Sequence, residues 1–83
     1  MAYVYVTLVM PNVPIYPIRM EDSEATDLAA HFMNTPDPPK KHYTIWDGNI
    51  TAGFTEGHLL IDWSQADIKA VHVKEATEQP PPG

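Results

Sequence analysis

Residues 2 to 10, AYVYVTLVM, alternate between two sets of side chains. Ala2, Val4, Val6, Leu8 and Met10 point one way, and Tyr3, Tyr5, Thr7 and Val9 the other. That two-residue period, with its β-branched and aromatic content, predicts a strand. Both sets carry apolar groups, so an interior strand or one at an interface is expected.

The next segment, PNVPIYPIRME, has prolines at 11, 14 and 17. Each proline removes a ladder donor, which bars a central strand. The spacing also suits a polyproline turn, but an edge strand guarded by proline is the expectation.

DSEATDLAAHFMN, residues 22 to 34, changes the period. Ala25, Leu28, Ala29, Phe32 and Met33 fall on one apolar stripe at helical spacing. Asp22 or Ser23 suits the N-cap, and Asn34 a left-handed C-cap before Thr35-Pro36. The acids Glu21, Asp22, Glu24 and Asp27 are accounted for by the helix dipole.

After a stiff TPDPPKK loop, the chain to about Glu75 reads as a meander of three or four strands. Asp47-Gly48 is the strong turn signal, because a type I′ turn needs positive φ at both central residues. It pairs Trp46 with Asn49, Ile45 with Ile50 and Tyr43 with Ala52. A second turn at Glu56-Gly57 pairs Phe54 with Leu59, Ala52 with Ile61 and Ile50 with Trp63. The two registers agree on a core face of Tyr43, Ile45, Ile50, Ala52, Phe54, Leu59, Ile61 and Trp63. The outer face holds His42, Thr44, Trp46, Asn49, Thr51, Gly53, Thr55, His58, Leu60 and Asp62. The helix stripe should pack on the core face, with Phe32 and Leu28 against Ile45, Ile61 and Trp63. In the last strand Val71 and Val73 join the core, Ala70 and His72 face outward, and Ile68 plugs the preceding turn.

The expected fold is α+β: a single mainly antiparallel sheet in order β-β-α-β-β-β, with one helix packed on one face. Residues 1–75 form one domain, and 76–83 a flexible proline-rich C-terminal tail. With 83 residues the core is thin, and association would supplement it.

Composition narrows the function more than motifs do. The net charge is −6, with eleven acids against five bases, which disfavours direct nucleic-acid binding and anionic membranes. There is no cysteine, so no disulfide, thiolate metal site or thiol nucleophile. The absence of a signal-peptide pattern, a membrane-length apolar run and cysteine makes a cytoplasmic setting the expectation.

The chemistry-bearing residues collect on the outer face: Tyr3, Tyr5, His42, Trp46, His58, Leu60, Asp62 and His72. The histidine spacings match no metal motif, with neither H-x-x-x-H nor H-E-x-x-H present, so no metal or cofactor is expected. Asp62 and His72 on neighbouring strands would make the best acid–base pair, yet such contacts are commonly surface pairs, and an enzyme is not expected. Tyr, Trp and His are amphipathic anchors of protein contacts. The reading is a non-enzymatic interaction protein, a homo-oligomer or one with a protein partner, using the outer face or the edge strands. The alternative is a small-molecule, nucleotide or metal-binding module on the same His/Asp/Trp face.

Overall fold

A computed structural model describes residues 2–12, 16–77 and 79, with the Tyr16 side chain left out of the description. Its elements are β1 (Tyr3–Val9), β2 (Tyr16–Glu21), α1 (Asp22–Met33), β3 (Lys40–Asn49), β4 (Gly53–Asp62) and β5 (Ala70–Glu75). The class is α+β with antiparallel pairing, and the element order is the expected one. The expected single sheet is not formed. The strands divide into a three-stranded sheet, order β2-β1-β5, and a two-stranded sheet, β3-β4.

β1 takes the centre of the first sheet, which suits a strand with apolar groups on both faces. The proline-bearing β2 takes an edge, and Asn12 turns the chain ahead of it at φ +62°. Tyr5 opposes Arg19 and Lys74, and Thr7 opposes Pro17 and His72. Directly opposed residues share a face. One face therefore presents Val4, Val6, Leu8, Ile18, Met20 and Val71 to the core. The other carries Tyr3, Tyr5, Thr7, Arg19, His72 and Lys74. Val73 shares the core side but stays 42% exposed at the edge.

The helix buries Ala25 and Leu28, and Phe32 packs against the same cluster as Trp63, Ile61 and Ile45. Met33 is 75% exposed, contrary to the expected stripe. Eight residues at about 100° each leave it roughly 80° off the Ala25 direction, at the last turn. Neither expected cap forms. Glu21 occupies the N-cap without a side-chain bond, and Asn34 ends the helix in extended backbone at φ −142°, its N–H bonded to the Ala30 carbonyl.

The expected meander is replaced by one long hairpin. Lys40 opposes Asp62, Tyr43 opposes Leu59, Trp46 opposes Glu56, and Asn49 opposes Gly53. The tip is Ile50-Thr51-Ala52, closed by the Ala52 N–H donating to Asn49 Oδ1 at 2.7 Å. Gly48 does have positive φ, +107°, but lies inside β3 opposite Phe54. Gly57 makes no turn: it lies opposite Ile45, whose Cγ1 would be 3.1 Å from an added Cβ.

The new register keeps Tyr43, Ile45, Leu59 and Ile61 on the core face and moves the middle segment. Ile50, expected in the core, is 67% exposed at the tip, Ala52 is exposed there, and Phe54 joins the side of Trp46 and His42. Trp63 and Ile68 hold their expected core positions. Beyond Glu75, the Ala76 N–H donates to the Tyr3 carbonyl. Gln79 Oε1 accepts from the Tyr3 N–H at 2.7 Å. Residues 78 and 80–83 of the proline-rich tail lie outside the described residues. No helix among the described residues is long and apolar enough to cross a membrane.

Candidate functional site

The eight residues singled out from sequence separate into two places. Tyr3, Tyr5 and His72 lie on the outer face of the three-stranded sheet, while His42, Trp46, His58, Leu60 and Asp62 share one face of the hairpin.

Trp46 links the two. Its ring meets Tyr3 edge-on, with centroids 6.3 Å apart, and Tyr3 is left 8% exposed. The far end of the hairpin thus covers part of the sheet's outer face. Arg19 fixes it there. Its Nη1 donates to the carbonyls of Trp46 (3.0 Å) and Gly48 (3.2 Å), and Nη2 donates to the Tyr5 hydroxyl (3.1 Å). The guanidinium also lies over the rings of Tyr5 (5.2 Å) and Phe54 (4.8 Å). Arg19 is 8% exposed, a burial that a charged group tolerates only with such bonding. Sequence reasoning missed this role. The signals were that Arg19 is the sole arginine and stands out of phase with the apolar Ile18 and Met20 of its strand.

The inner edge of β3 is closed by side chains. Beyond the two Arg19 bonds, the Thr44 N–H donates to Glu24 Oε1 at 3.0 Å. β4 differs: among the described residues its only ladder is with β3, so its outer edge extends over Gly53–Asp62 without a strand partner. Leu60, on this strand, is 75% exposed. Next to it lies an apolar depression of about 290 Å³ whose walls include Leu8, Met10, Leu59, Ile61 and Ile68.

His42 and His58 meet on the hairpin's outer face. His42 opposes Leu60 and His58 opposes Thr44, so the two imidazoles are diagonal neighbours. His42 Nε2 and His58 Nδ1 are 2.8 Å apart, with ring centroids at 4.8 Å. The expected meander placed a strand between these residues, which is why their contact was not foreseen. The expected Asp62–His72 pair is not formed, because β4 and β5 belong to different sheets. Asp62 instead accepts from the Ser64 hydroxyl (2.6 Å) and N–H (3.0 Å). That bonding holds its carboxyl below the usual range. No cluster of three or more His, Cys, Asp or Glu suited to a metal occurs among the described residues. This chain matches no known family model, no curated protein and no solved structure.

Proposed function

We propose that this chain is a small non-enzymatic interaction protein that self-associates by pairing the free edge of β4 with β4 of a second copy. The observation that carries the reading is the contrast between the hairpin's two edges. Side chains of Arg19 and Glu24 bond the β3 edge from within the chain. The β4 edge has no such cover among the described residues and bears the 75% exposed Leu60. An edge strand offers alternate N–H and C=O groups to another strand, and a two-stranded hairpin is only marginally stable alone. Antiparallel pairing of β4 about a two-fold axis would make four strands and a self-complementary contact. The outer face of the other sheet is the weaker of the two expected surfaces, since Trp46 already covers Tyr3.

Gel filtration with light scattering tests this. A dimer is expected at micromolar concentration, and a strictly monomeric chain at high micromolar concentration overturns the reading. Leu60→Lys should raise the dimer dissociation constant by about tenfold or more. Its side chain is exposed, so folding is expected to survive the change.

A further inference from the structure

We propose that His42 and His58 form a two-histidine chelate for a divalent transition ion of tetragonal preference, Cu(II) or Ni(II). The inference does not depend on β4 pairing, since both ligands come from one chain.

The argument begins with the separation of the two ring nitrogens. Two ligands about 2.0 Å from one ion and at a right angle lie about 2.8 Å apart, whereas a tetrahedral angle would set them about 3.3 Å apart. His42 Nε2 and His58 Nδ1 are 2.8 Å apart. Square-planar and tetragonal sites with nitrogen and oxygen donors suit Cu(II) and Ni(II). Without metal, one ring donates to the other. With metal, a modest turn of each exposed ring aims both lone pairs at a shared point.

The backbone is suited to holding this pair. The two histidines are diagonal neighbours on directly hydrogen-bonded strands, with Leu60 and Thr44 as their cross-strand partners. The ladder fixes the Cα positions, so the entropy lost on chelation is confined to side-chain torsions. Each histidine has its second nitrogen directed away from the contact, where it can carry the proton of a neutral imidazole. Asp62, bonded to Ser64 through Oδ1, does not complete a three-residue ligand group with the two histidines. Water completes the coordination. Lys40, the nearest cation on this face, opposes Asp62, which offsets its repulsion of a bound ion, and the chain's charge of −6 favours cations at long range.

The test uses the full chain and Cu(II) in a non-coordinating buffer, by calorimetric titration and electron paramagnetic resonance. One ion per chain is expected, with a tetragonal spectrum and two imidazole nitrogens. His42→Ala and His58→Ala should each weaken binding by about tenfold or more. His31→Ala and His72→Ala should leave it unchanged. In the unsubstituted protein, substoichiometric Cu(II) should broaden the ring-proton resonances of His42 and His58 before those of the other two histidines. No binding, unchanged binding in the double His42→Ala, His58→Ala variant, or first broadening at His31 or His72 would each overturn the proposal. So would a Cu(II) spectrum that is not tetragonal, which would contradict the right-angle geometry.

Discussion

Tyr43 is 3% exposed, and its hydroxyl donates to Asp27 Oδ2 at 2.9 Å. Burial, then the bond to Asp27, pushes the phenol well above the ordinary tyrosine value. The Trp63 indole N–H nearby pulls the other way, although it has no hydrogen-bond partner among the described residues. A group protonated more tightly in the fold than in the unfolded chain stabilises the fold below its unfolded pKa. That contribution is therefore complete below about pH 10 and is lost as pH rises beyond it. In a spectrophotometric titration one phenol should ionise far later than an ordinary tyrosine, and this late step should be missing in Tyr43→Phe. The same variant should lose only about 0.5–1.5 kcal/mol in urea unfolding at neutral pH, the net worth of one hydrogen bond, since Asp27 is exposed and keeps water and His31 as partners. At this scale the sequence was half legible. The burial of Tyr43 followed from strand parity. Glu24 and Asp27, by contrast, were explained by the helix dipole alone. In the fold both carboxylates reach β3, at the Thr44 N–H and the Tyr43 hydroxyl.

Among the elements, the strands and the helix were legible from period, and the hairpin was not. Asp47-Gly48 has the composition of a two-residue tip, yet the chain runs one more residue, Asn49, before the tip and pairs from Lys40–Asn49 to Gly53–Asp62. Positive φ was anticipated at both Asp47 and Gly48; of the two only Gly48 adopts it, and there it serves the strand near the tip instead of the turn itself. An added Cβ at Gly48 would run into the Gly53 carbonyl oxygen, besides being strained at φ +107°. Gly48→Ala should therefore cost about 2 kcal/mol or more, seen as a lower urea midpoint with an unchanged slope. Gly53, at φ +92° but with nothing within 4 Å of an added Cβ, should tolerate alanine better. An equal loss at the two positions would refute the steric part of this argument.

For the whole molecule, the decisive contact is the one that joins the two sheets on their outer side. Arg19, from the edge strand β2, bonds two carbonyls of β3 and lies between the Tyr5 and Phe54 rings. Arg19→Leu removes the donors and leaves the Trp46 and Gly48 carbonyls to find others. A loss of about 2–4 kcal/mol is expected. Lysine should not rescue it, because a single ammonium cannot reproduce the planar fork. Hydrogen exchange would locate the effect: amides near 46–54 should exchange faster while the centre of β1 keeps its protection. Uniform acceleration across β1 would instead mean that the two sheets unfold as one unit.

The division between what was readable and what was not follows from range. Side-chain alternation and helical period are local properties, so the chain alone determined the two faces of β1, the span of α1 and the edge position of β2. It also placed Tyr43, Ile45, Leu59 and Ile61 on one face, because both the expected and the observed registers keep their parity. Choice of strand partner is not local. Every strand offers the same N–H and C=O groups, and the preferred pairing depends on which long-range arrangement covers the most apolar surface and leaves the fewest buried groups unbonded. Only the tertiary structure could therefore split the strands into two sheets, send Phe54 and Trp46 against Arg19 and Tyr3, and bring His42 within 2.8 Å of His58.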